Sequence, residues 1–375
     1  MRRLAILSTH PIQYNAPFFR MLDDDSTLKV LVFFSKTSDQ VKFDPDFRRE
    51  IVWDIPVTEG YDHVSHDAST VSGRNALIGS IRAFAPDALL VYGWNFPGHL
   101  KALRHFHGRI PVWFRGDSHL LDPAPPLKRL ARRAFLSWLY RHVDVAFSVG
   151  TANEDYYIWC GLKPDQLKRA PHSIEQQHFQ NEDQVRKEAA MQWRGELGIP
   201  SHADVILFAG KLEEKKQPKL LLHAWEALSD DSHIIIAGSG PLEEELKHSW
   251  GSKARVHFIG FQNQKNMPIV YRMANAFCLP SKGPGETWGL SVNEAMACNI
   301  RCIVSDRVGC SLDMLRNSKH GKVVSWNQPH LWTTAIRELL QSPPDATDWE
   351  PIQKEFDLRH FVRAVRTEMD SLKPV

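Results

Sequence analysis

Ile234-Ile235-Ile236-Ala237-Gly238-Ser239-Gly240-Pro241-Leu242 joins an apolar, β-branched run to a glycine turn and a proline suited to the first position of a helix. A strand that hands over to a helix through so tight a turn is the building unit of a parallel sheet. The same alternation recurs on either side of it. Short apolar runs at 205–209, 256–259, 276–280 and 302–305 read as further strands, separated by helical stretches such as 218–228 and 241–250. Upstream, runs at 4–7, 30–34, 88–92, 112–114 and 145–149 form an earlier set. The chain is therefore expected to be α/β, with two Rossmann-like doubly wound domains. Residues 176–200, rich in Gln, Glu and Arg, read as the hinge and first helix of the second domain. The expected division is 1–180 and 181–355, with a terminal helix over 356–375 (Phe361, Val362, Val365 and Met369 at helical spacing) joining the first domain.

Composition sets limits on function. A chain of 375 residues exceeds the size of one ordinary core. Its 46 Lys plus Arg against 44 Asp plus Glu give a net charge of +2, which does not point to nucleic acid. Five cysteines, odd in number and without a Cys-x-x-Cys pair, fit a reducing cytosol. Met1-Arg2-Arg3 ahead of residues 4–7 imitates a signal peptide, but the apolar run stops at Ser8-Thr9-His10-Pro11, so it reads as a strand. No apolar stretch is long enough to span a bilayer.

The chemistry concentrates in Gly285-Glu286-Thr287-Trp288-Gly289-Leu290-Ser291-Val292-Asn293-Glu294-Ala295-Met296-Ala297. Two glycines tighten the approach to a helix expected from Leu290. The free N–H groups and dipole of that helix favour a diphosphate over Gly289 and Leu290. Glu286 before it and Glu294 inside it are placed to accept hydrogen bonds from sugar hydroxyls; the competing reading is a solvated helix face. Phe208-Ala209-Gly210-Lys211-Leu212-Glu213-Glu214-Lys215-Lys216-Gln217-Pro218 also runs from strand to helix. Lys211 and Lys216 there would stabilise charge gathering on a leaving phosphate. The opening Gly238–Gly240 turn imitates a dinucleotide fingerprint, but Glu243 stands where the third glycine belongs.

The glutamate pair with seven residues between, Pro280-Ser281 before it and Cys302-Ile303-Val304-Ser305-Asp306-Arg307-Val308-Gly309 after it resemble, in order and spacing, the retaining glycosyltransferases of family 4. The resemblance implies the GT-B architecture, two such domains facing each other across a cleft that closes to exclude water. It implies a nucleoside-diphosphate sugar donor held by the second domain, with Lys211, Lys216 and Glu286 in catalytic roles. Donor binding would fall to Gly240, Gly260, Phe261, Thr287, Trp288, Gly289, Leu290 and Glu294. Transfer of a hexosyl group would proceed by front-face attack, with Glu286 holding the sugar rather than attacking it. No cofactor and no metal are expected, and Asp23-Asp24-Asp25 reads as a solvated turn. Two departures stand out: Lys211 replaces the family's Arg, losing a bidentate fork, and Gln217 replaces a Gly.

In the first domain, His10 and Gln13 after the first strand are candidate hydroxyl contacts, against a His-Pro turn capping the next helix. Arg115, Asp117 and His119 end another strand; which of them meets an acceptor is open, and an internal Arg115–Asp117 pair is the alternative. Residues 128–139 form a basic amphipathic helix, read either as a peripheral contact with anionic membrane or as a surface helix packing its apolar side inward. The expected activity is a cytoplasmic glycosyltransferase acting on a glycan, lipid-linked or small-molecule acceptor, as in polysaccharide synthesis. The alternatives are an NAD-dependent sugar-nucleotide oxidoreductase and a silent sugar-nucleotide-binding subunit.

Overall fold

A computed structural model describes residues 1–37, 41–44, 49–52, 54–228, 231–342 and 349–373, with backbone alone for the short strands at 41–44 and 49–52. Two compact units divide the chain. One takes residues 1–40, 55–172 and 357–375; the other takes 41–54 and 173–356.

The first unit is a parallel sheet of β1 (Arg2–Ser8), β2 (Leu28–Phe34), β3 (His63–Ser65), β4 (Ala88–Tyr92), β5 (Val112–Arg115), β6 (Val145–Ser148) and β7 (Leu167–Arg169). Its strand order is β3-β2-β1-β4-β5-β6-β7. The second is a parallel sheet of β8 (Val205–Ala209), β9 (His233–Ala237), β10 (Val256–Gly260), β11 (Ala276–Leu279), β12 (Arg301–Ser305) and β13 (Gly321–Val324). It runs β10-β9-β8-β11-β12-β13. Each order doubles back at its first strand, as in a dinucleotide-binding fold, so connections leave in opposite directions between β1 and β4 and between β8 and β11.

Why these runs become strands follows from their burial. Ala5 and Leu7 point into one apolar cluster with Leu89, Val91 and Phe114, while Leu4 and Ile6 point into another with Leu90, Trp113 and Phe147. A strand covered on both faces needs apolar side chains at successive positions, which is why these segments do not alternate with polar residues. The helix Leu358–Ser371 closes the second cluster with Phe361, Val362, Val365 and Met369. Phe361 stacks on Phe18 at 3.9 Å.

Residues 173–180, expected in the first half, pack with the second unit, and the helix Gln176–Gln180 contacts Leu290–Ala297. Arg272 explains the shift: its guanidinium donates to Phe179 O at 2.7 Å and to Asp183 at 2.8 Å. The expected terminal helix begins at Leu358, and residues 374–375 lie outside those described.

Phe361→Ala should lower unfolding stability by about 3–5 kcal/mol, the usual cost of emptying an aromatic core position. Urea denaturation checks this; a loss below about 1 kcal/mol would show that the terminal helix is not part of the core.

Candidate functional site

Between β8 and β11 the chain leaves in opposite directions, and the loops that follow those strands carry the charged residues singled out above. After β8, Gly210-Lys211-Leu212 enters a 3-10 turn over Glu214–Lys216. After β11, Pro280 to Gly289 leads to the helix Leu290–Ala297. Lys216 Nζ forms an ion pair with Glu286 Oε2, joining the two loops at the switch point. Ser281 Oγ donates to the same carboxylate oxygen at 2.7 Å. Burial pushes the Glu286 carboxyl up, but the Lys216 charge and hydrogen bond and the Ser281 hydroxyl together hold it below the ordinary glutamate range. It is an anion at neutral pH.

The loops are locked by backbone contacts that exclude side chains. Gly238, at φ +143°, lies where a Cβ would stand 1.9 Å from Gly210 O. Hydrogen bonds from Gly210 N to Ala237 O (3.0 Å), Leu212 N to Ser239 O (2.9 Å) and Gly238 N to Gly260 O (2.7 Å) stitch three strand ends together. On the other side, Gly309 N donates to Glu286 O at 3.1 Å, and a Cβ on Gly309 would meet Thr287 O at 1.8 Å. Gln217 adopts the left-handed conformation, φ 51° and ψ 47°, which accounts for glycine being suited to this position. With its amide turned to satisfy both groups, Gln217 donates to Pro280 O (2.8 Å) and Trp326 O (3.1 Å), so the substitution adds a tie to the β11 loop.

Glu294 is buried and accepts from Tyr271 Oη at 2.7 Å. It is therefore not on a solvated helix face. Trp288 is buried too: its indole donates to Asn293 Oδ1 at 2.8 Å and its ring packs on Phe356. Only its backbone remains for ligand contact, and the carbonyl accepts from Cys310 N at 3.0 Å. Gly289, at φ +94°, caps the Leu290–Ala297 helix, whose first turn holds no acidic residue. The helix Glu243–Trp250 behind Gly240 differs, with Glu243, Glu244 and Glu245 in its first turn. An anion is favoured at the first helix start and opposed at the second. Lys211 and Phe261 are half-buried in their turns, and Gly260 is left-handed at φ +68°. Ser281 and Tyr271 carry site contacts. Ser281 was visible only as part of the approach to the motif, and nothing in sequence pointed to Tyr271.

In the first unit the candidates separate. His10 Nδ1 pairs with Thr9 Oγ1 at 3.0 Å, and Asn15 starts the next helix without a side-chain cap, so the His-Pro turn is not a side-chain cap. Gln13 is half-buried in the same turn. Arg115 is buried, donates to Ala170 O at 2.8 Å and lies 3.8 Å from the Phe361 ring centre. It ties β5 to the terminal helix. His119 is buried, with Nδ1 accepting from Leu121 N at 3.2 Å. Asp117 instead lines a cavity of about 740 Å³ walled by Trp94, Phe114, Phe135 and Tyr157, with Lys128 and Arg132 from the helix Pro126–Tyr140. Tyr157 Oη accepts from Gly116 N (2.7 Å) and donates to Gly116 O (2.9 Å), fixing the β5 loop under it. Beside Arg115, burial and that guanidinium push His172 down to about 4.

Among the described residues no three His, Cys, Asp or Glu side chains are grouped to hold a metal. Asp25, from the acidic run, accepts from Thr27 N at 2.9 Å and pairs with Arg366 at 2.7 Å. All five cysteines are unpaired and buried.

Residues 190–356 match the family model for glycosyl transferases group 1. A D-inositol 3-phosphate glycosyltransferase of Mycolicibacterium gilvum (strain PYR-GCK) is 32% identical over 160 residues, which is 40% of this chain and 35% of that protein. This chain thus spans about a third of the length of that curated relative. Anabaena Alr3699/HepE, solved with UDP and glucose, covers 99% of this chain and 100% of its own at a TM-score of 0.69 and 15% identity. Sucrose-phosphate synthase from Thermosynechococcus elongatus covers 99% and 98% at 0.75 and 15% identity. UDP-GlcNAc 2-epimerase from Methanocaldococcus jannaschii covers 99% and 100% at 0.60 and 14%. The fold is that of GT-B proteins, two parallel sheets each flanked by helices. An epimerase shares it, so the fold does not select the reaction.

Removing one partner of the Lys216–Glu286 pair strands a buried charge. Lys216→Met should cost about 3–5 kcal/mol, and adding Glu286→Gln should recover most of it. Because the folded-state pKa of Glu286 is depressed, its contribution holds above the unfolded value of about 4.3 and is lost as pH falls through the folded one. Urea titrations of wild type and Glu286→Gln should therefore converge in acid; a constant gap would disprove the ion-pair account.

Proposed function

We propose that this chain is a retaining glycosyltransferase of the family 4 type, moving a sugar from a nucleoside-diphosphate sugar to a glycan, lipid-linked or small-molecule acceptor. The observation that carries the reading is the Lys216–Glu286 pair at the switch point, next to a helix start free of acidic residues. The diphosphate would sit on the Gly289 and Leu290 amides, with Lys211 and Lys216 taking up charge as the glycosidic bond breaks. Glu286, ionised and tied to Lys216, is a hydroxyl acceptor for the donor sugar and a poor nucleophile. Glu294, fixed by Tyr271, would grip the ribose. Attack from the acceptor side, assisted by the departing phosphate, requires no protein nucleophile. HepE is solved with UDP, which makes uracil the first base to test.

The family match lies wholly within the second unit, so it speaks to the donor more than to the acceptor. The oxidoreductase alternative is disfavoured by the Glu-rich turn behind Gly240, which repels a pyrophosphate. A silent binding subunit differs only in turnover.

A thermal-shift panel of UDP, GDP, ADP and their sugars against NAD separates these readings. Stabilisation by one nucleoside diphosphate is expected; a response to NAD alone would sink the transferase. Glu294→Ala should weaken nucleotide binding by about tenfold or more. Lys216→Ala should lower kcat by about 10²-fold. Wild-type kinetics in both would overturn the donor-site assignment.

We propose a cytoplasmic protein, with the helix Pro126–Tyr140 as its point of peripheral contact with the inner face of the cell membrane. Leu127 and Leu130 are 82% and 63% exposed and Trp138 40% exposed, in a stripe at helical spacing. Of this helix only Leu136, Leu139 and Tyr140 are buried, so it does not pack its whole apolar side inward. Among the described residues no helix is long and apolar enough to cross a membrane. Leu127→Ser with Leu130→Ser should abolish cosedimentation with phosphatidylglycerol vesicles. Binding equal to wild type would refute the contact.

A further inference from the structure

We infer that the cavity beside the helix Pro126–Tyr140 is a subsite for a phosphorylated acceptor, with Lys128 and Arg132 holding the phosphate and the Trp94 and Phe135 rings flanking what the phosphate carries. The inference rests on the transferase reading. It starts from the composition of the walls, which combine the aromatic rings of Trp94, Phe114, Phe135 and Tyr157 with Lys128, Arg132 and the Asp117 carboxyl.

Among the described residues neither Lys128 nor Arg132 has an ion-pair partner, so both charges are open to an anion from outside the chain. Lys128 and Arg132 stand one helical turn apart, and like charges at that spacing repel each other unless an anion joins them. Arg132 is also held in place: its Nε donates to Tyr156 Oη at 3.0 Å, and its guanidinium lies 5.5 Å from the Tyr156 ring centre. A guanidinium fixed before the ligand arrives loses less entropy on binding and suits a phosphate's paired oxygens. Trp94 meets Phe135 edge to face at 5.3 Å, forming a rigid apolar wall.

The opposite wall is equally fixed. Asn153 Nδ2 donates to Ser118 O at 2.8 Å, and Tyr157 holds Gly116 from both sides, so the Gly116–Ser118 loop is preorganised. His99, fully buried, reaches Gly93 O at 3.1 Å and Ser35 Oγ at 2.8 Å, which fixes the loop leading to Trp94. A volume of about 740 Å³ accommodates a sugar or isoprenoid unit with its phosphate. Asp117 stands where it can orient the hydroxyl that receives the sugar.

The source of the phosphate is a lipid or a soluble sugar phosphate, and calorimetry separates them. The probes are farnesyl phosphate below its micellar concentration, farnesol, glucose 1-phosphate, glucose and inorganic phosphate, titrated into the full chain and into Lys128→Ala/Arg132→Ala. The expected result is saturable binding of one organic phosphate, about tenfold or more tighter than its uncharged partner, with that preference lost in the double variant. Farnesyl phosphate as the tight probe assigns a lipid acceptor; glucose 1-phosphate assigns a soluble one. Binding of inorganic phosphate alone, no preference for either phosphate, or an unchanged preference in the variant overturns the subsite. Trp94→Ala should weaken the same probe without removing the charge preference, which a mere surface counter-ion site would not show. UDP stabilisation should be equal in wild type and double variant. If the phosphate probe behaves as expected while no nucleotide binds, the transferase reading falls and the subsite stands; nucleotide binding without phosphate preference does the reverse.

Discussion

Parallel pairing of β8 with both β9 and β11 forces the chain to leave the sheet in opposite directions on either side of one strand end. No helix can cover the gap between two connections that diverge, so backbone amides and loop side chains are left facing it. Everything chemical in the second unit follows from that constraint. Lys216 enters from one loop and Glu286 from the other, and their union neutralises two charges that the surrounding sheet would otherwise bury at great cost. The pair sets the protonation state of Glu286 and fixes the distance between loops that belong to different strands. Ser281 adds a neutral donor, and the charge of Lys215 adds a weaker pull in the same direction.

Close backbone approach is the second constraint. Gly238 against Gly210 and Gly309 against Thr287 let loops from neighbouring strands touch directly, and both contacts leave no room for a Cβ. Backbone so confined cannot shift to suit a ligand; it presents a preformed surface, which lowers the entropy lost on binding. Gln217 shows that the design tolerates exchange: a strained left-handed position is retained, and hydrogen bonds to Pro280 in the β11 loop and to Trp326 after β13 offset the strain.

Electrostatics then divide the helix starts by role. The Leu290–Ala297 helix offers amides with no acidic residue in its first turn, whereas the Glu243–Trp250 helix shields its own dipole with three glutamates. Two similar glycine turns thus differ in the charge they accept. In the first unit the same sheet topology yields a different lining, aromatic and cationic, because the Pro126–Tyr140 helix carries both Lys128 and Phe135 along one edge of the cavity.

The strands were legible in the sequence because both faces of each sheet are covered, so runs such as Ile234-Ile235-Ile236 are apolar throughout, and their turns are marked by glycine and proline. The glutamate pair and both lysines were legible because a local pattern of charge and glycine surrounds each. What could not be read was every contact between residues distant in the chain. The Lys216–Glu286 pair spans 70 positions, Tyr271 reaches Glu294 across 23, and Arg115 meets the ring of Phe361 from the far end of the chain. Nor could sequence show that Trp288 turns into the core while Asp117 lines a cavity. Local pattern determines which segments form strands and helices, since that depends on neighbours along the chain. The orientation of a side chain, and the charge state that follows from its partners, is decided only when packing brings remote segments together.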